Sequence, residues 1–318
     1  MRFRQNSHSG FTLLELVVVI AVLAILATIA VRSLGGVEDQ SRFDATRNQL
    51  TALETAVIDS PIDRDADGSA QALCFVGDLG RLPLAVGTDP TTQLQELWAN
   101  PRNLLPLAVR TAPSDSDVLI ASGWRGGYLR LGVNQTSIRD GWGNAYDLLH
   151  ADGATPCADG DPVEIVRSRG ADGIIDTTTT TGFNADQYEY FNSTVAPVQN
   201  RYVSDLTGTV YFYNPATGQV SSPDPANGNV TVMLFGPDPP TGGVLEQTFT
   251  ITAPFTAATY SFPTATVGPR VLRAYQGTGT PAPFRSIPVR LIVQAGAQTK
   301  DLTLLTTPSA TTQPTPGS

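Results

Sequence analysis

Three aspartates at alternate positions, followed by a glycine, form a calcium-ligand pattern in this chain. The residues are Asp63, Asp65, Asp67 and Gly68, and an EF-hand-like loop opens with carboxylates at alternate positions and a glycine at its sharp turn. Such a loop places a bidentate Glu where this chain has Cys74, so further oxygen ligands would have to come from elsewhere. A solvated acidic turn is the alternative, and the sequence leaves both open.

One carboxylate lies within a long apolar run near the N-terminus. The run extends from Phe11 to Val31 and Glu15 is its only charge. At about 1.5 Å per residue, a helix of this length can cross a bilayer. A carboxylate near the bilayer core costs roughly 2.5 to 3.5 kcal/mol on insertion scales, so a Glu in this position requires a partner or a function.

The charge distribution predicts the orientation of this span. Arg2 and Arg4 precede it and Arg32 follows it, and the N-terminal pair favours an N-terminus inside the cell. The rest of the chain would then be periplasmic or external, an oxidising compartment in which Cys74 and Cys157 are expected to form a disulfide. Two separate buried thiols are the alternative.

Composition and histidine usage exclude several functions. The formal charge is −9, so nucleic acid is not expected as a partner, because phosphate binding needs a basic surface. The two histidines are His8, which lies before the apolar run, and His150. A Ser-His or Cys-His mechanism in the external part of the chain would therefore depend on His150, with acids such as Asp147 or Asp152. One His and two Cys do not complete a four-ligand zinc site, and neither a nucleophile elbow nor a phosphate loop is present. We expect no enzymatic activity.

Helical spacing continues beyond the apolar run. After Gly35-Gly36, which should weaken the helix locally, one face carries Phe43, Leu50, Leu53 and Val57. This face should pack on a globular domain. Ser60-Pro61 should end the helix, which would make residues 11–60 a rod of about 75 Å.

The segment Gly10 followed by Phe11-Thr12-Leu13-Leu14-Glu15 resembles the prepilin peptidase site of type IV pilins and type II secretion pseudopilins. The resemblance implies cleavage between Gly10 and Phe11, N-methylation of Phe11, and pairing of Glu15 with the amino terminus of a neighbouring subunit. Loss of the leader, residues 1–10, would remove two arginines and bring the charge from −9 to −11. The alternative is an ordinary anchor or an uncleaved signal, but a secretory signal is cut after its apolar region.

A second resemblance covers residues 77 to 190. Its pieces are Gly80-Arg81-Leu82-Pro83, Thr91 to Leu97, Gly123 to Leu129, Asp140-Gly141-Trp142-Gly143-Asn144-Ala145-Tyr146 and Ser168 to Gly173. In this order they are similar to the major pseudopilin of type II secretion systems, which implies a short antiparallel sheet and a calcium loop.

The resemblance assigns candidate calcium ligands in that loop. Asp172 and Asp186 match the acidic elements of the family's loop, and Asp176 is added by proximity. A loop held by Asx turns without metal is the alternative. Around the loop, Tyr146 to Leu149 and Val163 to Val166 can pair as strands. Trp124 and Trp142 are expected to be core residues.

From about Val203 the sequence changes to short alternating strands broken by Pro and Gly, which predicts an antiparallel sandwich. The candidates are Thr209–Tyr213, Val230–Phe235, Thr248–Thr252, Thr259–Phe262, Val271–Tyr275, Ile287–Val293 and Asp301–Leu305. The region resembles a carboxypeptidase-regulatory-like (prealbumin-like) module. Residues 307–318, rich in Thr, Pro and Ser, are expected to be disordered.

Together these features predict an α+β chain in five parts: a leader (1–10), a membrane-spanning assembly helix (11–60), a small antiparallel-sheet pilin head (61–202), an all-β sandwich (203–306) and a tail (307–318). The resemblances imply a structural subunit of a type II secretion pseudopilus or a type IV pilus-like filament. The alternative is a minor pilin whose sandwich is a displayed adhesion or ligand-binding module.

The same resemblances imply the partners and the location. The partners are prepilin peptidase, other pilin or pseudopilin subunits, an inner-membrane assembly platform and the lipid bilayer. Before assembly the chain would cross the bacterial inner membrane once, with its N-terminus in the cytoplasm. After assembly it would belong to a periplasmic or cell-surface filament.

Overall fold

The structure is a computed structural model of the 318-residue chain. It describes residues 13–58, 62–64, 70–72, 74–87, 89, 92–177, 180–194, 201–277 and 282–306, with side chains omitted for 29–35, 62–64 and 70–72. Gly10 and Phe11, together with the leader and the tail at 307–318, therefore lie outside the described residues.

The N-terminal part of the fold is one long helix, α1 (Leu13–Val57, 45 residues). Leu, Ala, Glu, Arg and Gln supply much of it, and these residues favour helix. It passes through Gly35 and Gly36 without interruption. The predicted end at Ser60 is close, since the last helical residue is Val57 and Ile58 lies in a turn.

The apolar part of α1 is exposed. Every described side chain from Leu13 to Thr28 is solvent-accessible, including Leu13 at 81% and Ile25 at 61%. Within the described residues, no helix combines the length and the apolar character that a bilayer crossing needs. The predicted span, Phe11 to Val31, begins before the first described residue and ends among side chains that are not described.

Short elements form a central unit, residues 74–194, against the second half of α1. They are preceded by a hairpin of β1 (Ile62–Arg64) and β2 (Ala70–Ala72), and comprise α2 (Phe75–Leu79), β3 (Ala108–Thr111), β4 (Leu119–Ser122), β5 (Asp147–Leu149), β6 (Ile165–Ser168) and β7 (Gln187–Tyr190). Strands β5, β6 and β7 form an antiparallel three-stranded sheet. The predicted pairing of the segments around Leu148 and Val166 is confirmed.

The core of the central unit lies between α1 and this sheet. Leu50, Leu53 and Val57 of α1 are buried with Phe75, Leu79, Leu97, Leu148, Val166 and Phe191. The apolar face predicted on the helix therefore packs as expected. Its burial supplies roughly 1.5 to 3 kcal/mol for each large side chain.

Two buried carboxylates bind arginines of the central unit. Glu96 is fully buried and accepts from Arg81 Nη1 at 2.7 Å and Nη2 at 3.0 Å, with Arg102 Nε at 3.0 Å. Asp78, 2% exposed, accepts from Arg125 Nε at 2.8 Å and Nη2 at 2.9 Å. These ion pairs therefore hold the unit together.

A C-terminal sheet unit follows, residues 201–306. Its strands are β8 (Val203–Asn214), β9 (Gln219–Ser221), β10 (Val230–Pro237), β11 (Val244–Ile251), β12 (Ala258–Thr266), β13 (Gly268–Gln276), β14 (Phe284–Ser286), β15 (Val289–Val293), β16 (Gln298–Thr299) and β17 (Leu302–Thr306). All seven predicted strands fall on observed ones. Alternate residues of β8 and β10 point inward, as a half-buried strand requires.

The sheet differs from the prediction in its connections. The ten strands form one sheet in the order β11-β10-β13-β14-β17-β8-β12, with β15, β16 and β9 pairing to its side. The end strands β11 and β12 contact each other, so the sheet folds over its own core. Strands β16 and β17 run parallel to β8, whereas the sequence analysis predicted an antiparallel arrangement throughout.

The central and C-terminal units share a buried joint. Phe235 and Val271 pack against Ala112 and Val118 from the segment that joins β3 and β4. Beside them, Asp115 accepts from Arg273 Nη1 at 2.5 Å, and both side chains are nearly fully buried. This joint fixes the C-terminal unit on the central one.

Candidate functional site: the docked helix and the acidic loop

The central unit contacts the middle of α1 around Phe43. The Phe43 ring meets Trp142 edge-on at 6.4 Å between centroids and Phe183 at 5.9 Å. A side chain at Gly141 would overlap the carbonyl of Arg42, so the glycine lets this loop reach the helix backbone. Gly141 N also donates to Thr46 Oγ1 at 2.8 Å.

Asp140 orders the loop, residues 140–144, that packs against α1. It is 4% exposed, and its Oδ1 accepts from the main-chain N–H groups of Trp142 at 3.0 Å and Asn144 at 2.7 Å. Its Oδ2 accepts from Ser168 Oγ at 2.8 Å. These bonds hold the motif from Asp140 to Asn144 in the conformation that contacts α1.

The predicted calcium residues are brought together only in part. Asp186 N donates to Asp176 Oδ2 at 2.9 Å and Asp176 N donates to Asp186 Oδ2 at 3.2 Å, so each carboxylate binds the main chain of the other residue. Asp172 Oδ1 accepts from Ile174 N at 3.0 Å in an Asx turn of its own. Over the described part of the chain, no three His, Cys, Asp or Glu residues are grouped to hold a metal.

Hydrogen bonds within the loop favour the charged form of Asp176. Hydrogen bonds from Thr180 and from the Asp186 main chain lower the pKa of Asp176. Asp186 is almost fully buried, and its Oδ1 has no hydrogen-bond partner among the described residues. Arg167 Nε lies 3.9 Å from Asp186 Oδ2. A buried carboxylate oxygen without a donor is costly.

The other predicted calcium pattern is not described in full. Asp63 lies in β1, opposite Gln71 of β2, while Asp65 and Asp67 lie outside the described residues. Cys74 is the N-cap of α2, where its sulfur accepts from Gly77 N.

The predicted disulfide is wrong, because Cys74 and Cys157 are separate buried thiols. Each sulfur has a local bond instead: Cys74 Sγ caps α2, and Cys157 Sγ donates to Pro162 O at 3.4 Å. Burial, with Asp161 and Glu164 nearby, raises the pKa of the Cys157 thiol to about 12.

His150 lies against other acids than those named from sequence. Its Nε2 is 3.2 Å from Asp161 Oδ2, and its Nδ1 is 3.6 Å from Glu164 Oε2. Asp147 is instead bound by two arginines, at 2.7 and 2.6 Å. Asp152 accepts from Thr155 and Ala154 in its own turn, and these bonds lower its pKa to about 2.

Sequence reasoning missed a charge cluster that ties α1 to β7. Arg201 Nη1 donates to Glu189 Oε1 at 3.0 Å, and Arg201 Nη2 bonds the carboxylate of Glu54 in α1. The three residues are far apart in the chain, and no local pattern connects them. Burial raises the pKa of Glu189 to about 7, the Glu54 charge adds to this, and Arg201 opposes it.

This cluster predicts a pH dependence of stability. The folded chain holds the Glu189 proton more tightly than the unfolded chain, so its contribution is present below the ordinary Glu pKa near 4.5 and is lost as pH rises through about 7. We expect Glu189→Gln to raise the melting temperature, relative to wild type, more at pH 8 than at pH 5. The shift corresponds to at most about 3 kcal/mol, and to roughly 1 to 2 after solvent screening.

Thermal melts at both pH values check this. Glu38→Gln, which removes an exposed carboxylate of α1, is the control and should show little change between the two. An equal difference between Glu189→Gln and wild type at pH 5 and pH 8 would contradict the expectation.

The N-terminus is the part of the chain that comparison with known proteins identifies. A family model described as "Prokaryotic N-terminal methylation motif" matches residues 5–31. The chain therefore has the N-terminus of a type IV pilin-like protein, a motif that implies processing by prepilin peptidase and assembly with other pilins.

The remaining comparisons add no further assignment. No curated protein matches this chain. One solved structure, described as a "putative carbohydrate binding protein from Bacteroides uniformis", is 18% identical over 33% of this chain and 42% of its own length, with a TM-score of 0.22. This chain thus spans less than half of that protein, and a similarity at this level does not indicate a fold or a function.

Proposed function

We propose that the chain is a structural subunit of a type II secretion pseudopilus or a type IV pilus-like filament, and is not an enzyme. The observation that carries the proposal is the methylation motif at residues 5–31, which overlaps the exposed apolar start of a 45-residue helix. The other end of that helix is docked on a folded unit. One end of α1 is thus available for assembly while the other carries the globular part.

The exposed apolar surface of α1 is expected to be buried against a partner. Contiguous apolar surface on this scale marks an interaction site. In the proposed function the inner-membrane bilayer covers Leu13 to Val31 before assembly, with the N-terminus in the cytoplasm. Helices of neighbouring subunits cover it in a periplasmic or cell-surface filament, which an assembly platform builds.

The chemical identity of the mature N-terminus tests this function. Mass spectrometry of the chain from its native host should find N-methylated Phe11 as the first residue. A mature chain that begins at Met1, or at a residue beyond the apolar run, would exclude processing by prepilin peptidase.

In this proposal the central unit is the pilin head, since it holds α1 through the motifs that resemble the major pseudopilin. The number of copies per filament separates a major subunit from a minor pilin that displays its C-terminal unit. A count by quantitative mass spectrometry of sheared filaments would decide between them.

Calcium is the ligand that this proposal implies for the acidic loop. The residues fit in part: Asp176 and Asp186 each bind the main chain of the other, and Asp186 Oδ1 is buried without a donor among the described residues. Calcium needs six to eight oxygens, so main-chain carbonyls of the loop and water would have to supply the others. Bound calcium would neutralise two neighbouring carboxylates and tie the ends of the loop together.

Calcium should therefore raise the melting temperature of the chain. A ligand at a hundred times its Kd stabilises by about 2.7 kcal/mol, which for a chain of this size is roughly 5 °C. Asp186→Asn should abolish most of the rise, and Asp172→Ala should weaken it. Magnesium should substitute poorly, because it demands a tighter octahedron.

Melting the full-length chain in calcium and in chelator measures this effect. Asp65→Ala is the matched control and should leave the rise intact if Asp63 to Gly68 is an acidic turn. If millimolar calcium does not change the wild-type melting temperature, the loop does not bind calcium and is ordered by its own Asx turns.

A further inference from the structure

Arg270 of β13 is a buried charge at the joint between the central and C-terminal units. Its side chain is 3% exposed. The backbones of the two units approach closely beside it, since a Cβ added to Gly268 would lie 2.5 Å from the Cα of Gly77 in α2. The guanidinium is therefore enclosed by both units.

All the hydrogen-bond acceptors around Arg270 are neutral. Nη1 donates to Gly77 O at 3.2 Å and Pro269 O at 2.7 Å. Nη2 donates to Thr266 Oγ1 at 2.5 Å and Val267 O at 2.8 Å.

No carboxylate of the described residues forms an ion pair with this guanidinium, because the neighbouring Asp78 is bound by Arg125. Burial lowers the pKa of Arg270 to about 10, so the group is charged at neutral pH. The nearby charge of Asp78 opposes this shift of the pKa, but that carboxylate is shared with Arg125. A buried charge that is only partly compensated is costly, and a further opposite charge nearby relieves that cost.

A cavity of about 90 Å³ lies beside this charge, lined in part by Arg270, Thr266, Gln247 and Gly236. A Cβ on Gly236 would lie 3.1 Å from Arg270 Nε. Because glycine has no side chain, the space next to this Nε stays open. Among the described residues, the four hydrogen bonds of this guanidinium come from Nη1 and Nη2 rather than from Nε.

Every polar side chain on the cavity wall can donate a hydrogen bond, and none is acidic. Thr266 Oγ1 already accepts from Arg270, so its own proton can point elsewhere. The Gln247 amide supplies two more N–H groups. The volume equals that of about three waters at roughly 30 Å³ each, or one small anion with water.

We propose that this cavity binds a small monovalent inorganic anion of the size of chloride. Arg270 supplies the counter-charge, and the Thr266 hydroxyl and the Gln247 amide donate to the anion. Because Arg270 also bonds Gly77 O of the central unit, bound anion stiffens the joint between the two units.

The test is the melting temperature of the full-length chain in mild detergent, measured as chloride replaces gluconate at constant ionic strength. Gluconate has a six-carbon chain and is too large for this cavity. Chloride should raise the melting temperature by several degrees in a saturable way. A weakly hydrated anion without a site does not stabilise in this manner, since it is the strongly excluded anions that favour the folded state.

Two variants localise the effect. Gly236→Ala keeps Arg270 but places a methyl group beside Nε, and should abolish the chloride response. Gln247→Leu removes one neutral donor and should weaken apparent chloride affinity roughly two- to tenfold. Arg47→Gln, which alters an exposed arginine of α1, is the control and should respond like wild type.

Two results would overturn the proposal. One is a wild-type melting temperature that is the same in chloride and gluconate, and the other is a chloride response that Gly236→Ala retains. Either would mean that the cavity holds water only. If Gly236→Ala does not fold, unchanged chloride affinity in Gln247→Leu has the same meaning.

Discussion

Replacing Gly10 with valine should leave the chain unprocessed, with all of the protein at full length in the membrane fraction. The expectation rests on the methylation motif, which spans residues 5–31 and so includes Gly10, and on the position of this glycine directly before Phe11 and the apolar run. A β-branched side chain at the residue before the cut bond obstructs a peptidase that accepts glycine there. The measurement is N-terminal mass spectrometry of the membrane-bound chain.

Gly36→Val is the matched control for this experiment. A side chain at Gly36, within α1, meets no atom within 4 Å, so the substitution should leave both the fold and processing intact. Mature chains that begin at Phe11 in Gly10→Val would exclude the cleavage site.

Glu15→Leu should be inserted and cleaved but should assemble at least tenfold less filament than wild type. Removal of the carboxylate makes insertion easier by roughly 2.5 to 3.5 kcal/mol, so membrane delivery should not suffer. Assembly should fail, because in the proposed filament Glu15 pairs with the amino terminus of a neighbouring subunit. Loss of one partner of a buried charge pair costs about 2 to 5 kcal/mol.

Filament yield after shearing and the fraction of cleaved chain should be measured in the same cells. Thr28→Leu is the control: it makes the same apolar segment more hydrophobic without removing a charge, and the Thr28 hydroxyl donates to Ile25 O of its own helix. Filaments of wild-type yield from Glu15→Leu would exclude an assembly role for the carboxylate.

Local patterns in the sequence predicted much of the fold. The helical spacing of Leu50, Leu53 and Val57 identified the buried face of α1, because a 3.6-residue period is a local property. Strand alternation located the main strands of the C-terminal sheet unit for the same reason. The strands that were missed, β9, β14 and β16, have only two or three residues, too few for a period to show.

Local patterns did not predict the contacts between segments that are distant in the chain. The pairing of Arg201 with Glu54 spans 147 residues, and that of Arg273 with Asp115 spans 158. The disulfide prediction failed for a related reason: the compartment favours a bond, but the fold decides whether two thiols have the geometry to form one, and here they are separate.

The acidic loop was predicted from the sequence in part. Its position was predicted from the resemblance to the major pseudopilin, and the structure does bring Asp176 and Asp186 together. The separate turn formed by Asp172 agrees with the alternative that the sequence left open, a loop held by Asx turns.

The joint between the two units also determines the order in which the chain can fold. Val267, which belongs to the C-terminal unit, is 5% exposed within the core of the central unit, and Arg270 bonds Gly77 O across 193 residues. Contacts of such high sequence separation form late and slowly, because a long loop must close first. The central unit therefore cannot complete its core until residues near 270 have been synthesised, so a nascent chain halted before that point should remain sensitive to protease.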